Sequence, residues 1–121
     1  MKRILIIEDD EGLRDLLENF LEETGYQVVK AADGLEGMDA IEREQFDLIV
    51  VDVMLPYVSG IGLLKIVKKR NPQLPIICIT GYGNSPEELA EREHADRVLP
   101  KPFDLTDLLA AVQELLPEQA R

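Results

Sequence analysis

The sequence predicts an α/β protein: a doubly wound, five-stranded parallel sheet in the order 2-1-3-4-5. Three observations carry this. Apolar runs alternate with helical patterns five times along 121 residues, and strand–helix alternation implies a parallel sheet with helices on both faces. The runs at 4–7, 48–51 and 76–79 are continuously apolar, as strands covered on both faces must be. The runs near 28 and 98 are shorter and more polar, which suits the two sheet edges.

Strands are expected near 3–8, 26–31, 47–52, 75–80 and 96–100. The first helix follows from Leu13, Leu16, Leu17, Phe20 and Leu21, an apolar stripe at i, i+3, i+4, i+7 and i+8. Asp9 or Asp10 is placed to cap it near Glu11. The third helix can begin at Ser59; it turns Leu63, Leu64 and Val67 inward and Lys65, Lys68, Lys69 and Arg70 outward. Those late cations complement the helix dipole. Ser85-Pro86-Glu87-Glu88 reads as the start of a fourth helix: an N-cap, a first-turn proline and a capping-box glutamate. Only Leu89 and Ala90 are apolar before Ala95, so this helix is expected to be the most mobile. The last helix carries Leu105, Leu108, Leu109, Val112, Leu115 and Leu116, with Asp104 as its cap and Pro117 as its stop.

The length suits one domain, 1–121, and no linker, repeat or low-complexity segment interrupts it. Apolar residues make up 45% of the chain, enough for a real core, yet no stretch approaches the roughly 18–20 residues that cross a bilayer. Met1-Lys2-Arg3 precedes only four apolar residues, too few for a signal peptide, so a cytoplasmic protein is expected. The balance is 24 acids against 13 bases, a formal charge of −11. Direct nucleic-acid contact needs clustered Lys and Arg and is not expected, nor is an anionic membrane surface. Cys78 is the only cysteine and sits within an apolar run, where it reads as a core residue. With His94 the only histidine, zinc sites built from several such ligands are excluded.

The candidate chemistry lies where the apolar runs end. Ile4–Ile7 leads into Glu8 and Asp9, Leu48–Val51 into Asp52, Ile76–Ile79 into Thr80, and Val98–Pro100 into Lys101. In open parallel sheets ligands sit beyond the carboxyl ends of the strands. Strands 1 and 3 are neighbours in the expected order, so Glu8, Asp9 and Asp52 should converge. Two carboxylates ~5 Å apart repel by about 3 kcal/mol at an effective dielectric near 20. Three together call for a cation, and Mg²⁺, hard and oxygen-loving, fits best. Asp52 is the candidate nucleophile toward phosphorus. Lys101 and the Thr80 hydroxyl would stabilise phosphoryl oxygens, and Gly81 would let the backbone approach closely. No phosphate-cradling glycine motif is present, so nucleotide binding is unsupported. Gly34, Gly37, Gly60, Gly62, Gly81 and Gly83 read as turn or helix-start glycines.

Over essentially its whole length the chain resembles a two-component response-regulator receiver domain, of the CheY-like, single-domain type. The landmarks are Ile-Leu-Ile-Ile-Glu8-Asp9-Asp10, Val-Val-Asp52-Val-Met-Leu-Pro56, Ser59-Gly60, Ile-Thr80-Gly81 and Lys101-Pro102-Phe103. The expected strand order is that of flavodoxin-like folds, chemotaxis receivers included. The resemblance implies that Asp52 accepts a phosphoryl group from a histidine kinase or phosphotransfer protein. It implies Mg²⁺ bound by Glu8, Asp9, Asp52 and the backbone carbonyl of Met54. Thr80 and Lys101 would contact the phosphoryl group, and Lys101-Pro102 would be a cis peptide. The implied switch reshapes the face of the fourth helix, fifth strand and fifth helix, which a downstream protein target reads.

Two departures matter. The position three before Lys101, aromatic in the family's usual switch, is Val98. Residues 104–116 contain no Lys or Arg, so the charge-paired dimer of one DNA-binding subfamily is not expected. Met54 and Tyr82 are bulky enough to hinder hydrolytic water, which predicts a long-lived phosphorylated state. Three other readings stand beside the phosphoacceptor switch: a constitutive protein-binding module on the same scaffold, a small metal-dependent phosphohydrolase, and a receiver excised from a longer regulator. The second lacks the Asp-x-Asp acid partner, because Met54 fills that position.

Overall fold

A computed structural model describes residues 1–55, 58, 60–81 and 95–117. The strands are β1 (Arg3–Ile7), β2 (Gln27–Ala31), β3 (Leu48–Asp52), β4 (Ile76–Thr80) and β5 (Arg97–Pro100). All pairings are parallel, and the order is β2-β1-β3-β4-β5, as expected. The described helices are α1 (Glu11–Glu23), α2 (Gly34–Arg43), α3 (Gly60–Arg70) and a C-terminal helix (Leu105–Leu115). Ser59, Tyr82, His94 and the helix expected from Ser85 lie outside the described residues.

The period-2 alternation of the strands builds a core on each face of the sheet. Ile4, Ile6, Leu48, Val50, Ile77 and Ile79 pack against Leu17 and Leu21 of α1 and Leu108, Val112 and Leu116 at the chain's end. Leu5, Ile7, Ile49, Val51, Ile76 and Cys78 pack against Leu63, Leu64 and Val67 of α3. Cys78 is thus a buried core residue. The central strands β3 and β4 are buried throughout, while β2 and β5 are mostly half-buried or exposed, which accounts for their polar sequences.

Three expectations are corrected. Leu16 is 49% exposed, not part of the buried stripe. It sits about 100° from Leu17 around the helix axis, on the flank of the packed face. Asp104 holds the N-cap position of the C-terminal helix but makes no side-chain cap bond; its carbonyl instead accepts from the Asp107 and Leu108 N–H groups. Lys68 does not project into solvent. Its ammonium donates to the Leu74 carbonyl at 2.9 Å and pairs with Asp96 at 2.8 Å. The same Asp96 carboxylate accepts the Ile76 N–H at 2.8 Å. The long Lys68 stem thus ties the end of α3 to the entrances of β4 and β5.

Glycine is required sterically at the start of α3. A Cβ at Gly60 would lie 2.0 Å from the Asp52 carbonyl oxygen and 2.6 Å from the Val53 Cα, both backbone atoms. The Gly60 N–H donates to the Val53 carbonyl at 3.0 Å. This contact seats α3 directly on the end of β3.

Candidate functional site

The carboxyl ends of β1, β3, β4 and β5 meet at one edge of the sheet. Glu8, Asp9 and Asp52 each offer a carboxylate oxygen within 4.8 Å of the others. Glu8 and Asp52 are 1% and 2% exposed, and Asp9 is exposed at the mouth. The β1–β3 register places Ile7 beside Val51, so the residues that follow must project from the same edge. Lys101 extends back from the end of β5. Its ammonium lies 2.7 Å from Asp52 Oδ2 and 3.5 Å from Glu8 Oε1. Thr80 is 2% exposed at the end of β4, and its carbonyl accepts the Lys101 N–H at 2.7 Å. The Lys101–Pro102 peptide is cis. A Cβ at Gly81 would lie 4.0 Å from Lys101 Cδ, an ordinary contact, so close approach does not by itself require glycine there.

The carboxylates are individually oriented. Asp52 Oδ1 accepts the Met54 N–H at 2.8 Å. Glu8 Oε2 accepts the Asp10 N–H at 3.0 Å. Glu8 Oε1 is fully buried with no hydrogen bond, the only such side-chain atom among the described residues. A buried carboxylate oxygen without a donor is costly. It is accounted for if a hard cation occupies the space between the three acids, a donor set suited to Mg²⁺. Asp10 itself turns away and caps α1, accepting the Leu13 N–H at 3.0 Å.

Burial raises the Glu8 pKa to about 7, and the neighbouring Asp52 adds to the shift. For Lys101, burial pulls the pKa down, but the hydrogen bond and charge of Asp52, helped by Glu8, leave it above its usual value. Lys101 therefore stays charged while Glu8 changes state near neutrality. The consequence for the cation-free protein has a definite sign. Unfolded, Glu8 ionises near 4.5, and folded near 7. Between those values the unfolded chain releases its proton first, so folding stability falls as pH rises and levels off above about 7. The loss from this group is on the order of 3 kcal/mol at most. Thermal melting in chelator from pH 5 to 8 checks it; a midpoint rising across that window contradicts it.

Sequence reasoning identified all three acids, Thr80 and Lys101 as neighbours, and the structure brings them together. It missed Arg14, whose guanidinium donates to the Glu8 carbonyl at 2.9 Å. The only available signal was the six-residue spacing, faint among the other charges of α1.

A doubly wound parallel sheet with an acidic cluster and a lysine at its carboxyl edge defines a class of α/β protein equipped to hold a hard cation beside an oxyanion. Within that class, residues 4–113 match the response regulator receiver domain model, and the chain belongs to this family of two-component signalling proteins. It is 37% identical to the response regulator MprA of Mycobacterium bovis (strain BCG / Pasteur 1173P2) over 123 residues, covering 98% of this chain and 54% of that protein. The chain thus spans about half the length of the curated relatives it matches. The CheY-like receiver domain protein from Methanospirillum hungatei JF-1 superposes with a TM-score of 0.91 at 38% identity, covering 98% of this chain and 96% of that one. TrrA from Thermotoga maritima, solved in complex with Mg²⁺-BeF, gives a TM-score of 0.87 at 30% identity, covering 95% and 99%. Receiver domains interact with histidine kinases and downstream effectors and bind Mg²⁺ at an acidic pocket. Among the described residues no helix is long and apolar enough to cross a membrane.

Proposed function

We propose that residues 1–121 form a receiver domain that accepts a phosphoryl group on Asp52 and switches a protein-binding face. The observation that supports this best is the clustering of the Glu8, Asp9 and Asp52 carboxylates, with Glu8 Oε1 buried without a hydrogen bond and the Lys101 ammonium 2.7 Å from Asp52 Oδ2 and 3.5 Å from Glu8 Oε1. Glu8, Asp9, Asp52 and the Met54 carbonyl would hold Mg²⁺, which supplies neutralising charge for the phosphoryl oxygens when bound. An Asp52 carboxylate oxygen attacks phosphorus of a phosphohistidine on a histidine kinase or phosphotransfer protein. The O–P bond forms, the N–P bond breaks, and the imidazole nitrogen retains the electron pair and takes up a proton. The Met54 N–H holds Asp52 Oδ1, which fixes the rotation of the carboxylate. Lys101 moves from its ion pair toward the charge newly placed on Asp52, and Thr80 donates its hydroxyl to a phosphoryl oxygen.

The test is labelling by a small acyl-phosphate donor in Mg²⁺, with Asp52→Asn as control. A Mg²⁺ titration followed by beryllofluoride separates this from a constitutive binding module, which gives no spectral response to either. A receiver within a longer regulator is a second reading, favoured by the half-length coverage of the curated relatives. The coding sequence beyond Arg121 decides it. Mg²⁺ should also raise the melting midpoint more at pH 7.5 than at pH 5.5, because it must displace the Glu8 proton at the lower pH.

Met54 is 52% exposed beside Asp52, where it can screen the acyl phosphate from water. Met54→Asn is expected to speed phosphate loss several-fold, read as decay of the labelled protein after donor removal. An unchanged half-life contradicts the screening role. Tyr82, the other residue considered for this role, lies outside the described residues.

A further inference from the structure

We propose that Arg14 is a positioning residue of the acidic site: it clamps the Glu8 main chain so that the Glu8 and Asp9 carboxylates face Asp52, and it thereby sets the affinity for a divalent cation. The proposal rests on the acidic cluster being a cation site, as put forward above.

The reason lies in how the β1–β2 ladder ends. Ile7 pairs with Val51 of β3, whereas Glu8, the next residue, faces β2, whose last residue is Ala31. The Glu8 carbonyl lies on the same side as its N–H and runs past the end of β2, inside a residue that is 1% exposed. Arg14 satisfies it at 2.9 Å. The Glu8 N–H donates to the Ala31 carbonyl of β2 at 3.1 Å. Its Oε2 takes the Asp10 N–H. These three contacts pin the residue and leave Oε1, 3.5 Å from the Lys101 ammonium, as its one polar atom without a hydrogen bond, within the cluster of acids.

Arg14 is itself held by the helix it belongs to. The Asp10 carboxylate caps Leu13, and the Arg14 N–H donates to the Asp10 carbonyl at 2.8 Å. The first turn of α1 and the Glu8–Asp10 segment are thus stapled to each other at both ends. Asp9, between the two staples, has little freedom to swing away from the cluster. A hydrogen bond from a charged donor to a buried carbonyl is among the stronger kinds.

Charge and position act in opposite directions here, which makes the test decisive. Removing a cation from the neighbourhood of three acids tightens Mg²⁺ binding if charge is all that Arg14 contributes. Removing the clamp weakens it. Isothermal titration of the full chain with Mg²⁺ compares wild type, Arg14→Met (the stem without the donor), Arg14→Gln (a neutral donor too short to reach) and Arg14→Lys (donor and charge kept). Far-UV circular dichroism checks the fold of each. Arg14→Met and Arg14→Gln are expected to bind Mg²⁺ about tenfold more weakly, with Arg14→Lys recovering most of the loss. Their phosphorylation rate should fall at low Mg²⁺ and return toward wild type at saturating Mg²⁺. Equal or tighter Mg²⁺ binding by whichever of the two neutral variants folds overturns the role of Arg14 alone. Absence of Mg²⁺ binding by the wild type overturns the cation site, and the clamp with it.

Discussion

Asp52→Asn is expected to reduce phosphoryl labelling to background while leaving the protein folded. The side chain keeps its shape, and an amide oxygen can still accept the Met54 N–H that Asp52 Oδ1 accepts at 2.8 Å. What is lost is the nucleophile: a neutral amide oxygen does not displace a leaving group at phosphorus at a useful rate. The charge balance also changes. Lys101 loses its 2.7 Å partner and retains Glu8 at 3.5 Å, while Glu8 loses the neighbour that helps hold its pKa up. The variant should therefore melt within a few degrees of wild type, and Glu8 should ionise at lower pH in it. Labelling of the variant at wild-type stoichiometry would place the acceptor elsewhere.

Gly60→Ala is expected to be the most destabilising single methyl addition among the described positions near the site, costing about 3 kcal/mol or more. The added carbon meets the Asp52 carbonyl oxygen at 2.0 Å and the Val53 Cα at 2.6 Å. Flexible side-chain ends can move aside, as Ile7 Cδ1 could for a Cβ at Gly37, but the last residue of a buried strand cannot. Either α3 lifts off the sheet, loosening Leu63, Leu64 and Val67 from their core, or β3 shifts and carries Asp52 out of register with Glu8 and Lys101. Both outcomes reduce stability, and the second also slows phosphorylation. Urea unfolding by circular dichroism measures the first effect and donor labelling the second. A change below about 1 kcal/mol would mean the α3 start adapts far more easily than its backbone packing implies.

The fold was legible because burial leaves a direct mark on composition. Strands covered on both faces must be apolar at every position, so β1, β3 and β4 stood out, and the polar interruptions of β2 and β5 set them at the edges. The site was legible for the same reason in reverse. Glu8, Asp52 and Thr80 each break an apolar run at its carboxyl end, and a parallel sheet carries all such ends to one edge. Groups that act across the fold without breaking a run stayed hidden. Arg14 looks like any charged residue of an amphipathic helix until its side chain is traced to the Glu8 carbonyl. Lys68 and Asp96 are 28 residues apart, and nothing local distinguishes them from solvated charges. Leu16 carries the opposite lesson, since helical spacing alone does not say how wide the buried stripe is. Gly60 was readable as a helix-start glycine, but its contact with the backbone of β3 is a property of the assembled sheet.

In the proposed function the acids of β1 and β3 converge on a cation and make Asp52 the phosphoryl acceptor. The most direct measurement is chemical trapping. The protein is labelled with a small acyl-phosphate donor in Mg²⁺, reduced with borohydride, digested and mapped by mass spectrometry. Borohydride converts an aspartyl phosphate to homoserine, so the expected result is homoserine at position 52 and nowhere else, lost when Mg²⁺ is chelated. Homoserine at Asp9, at Asp10 or at any other aspartate, or undiminished labelling of position 52 in chelator, would contradict it.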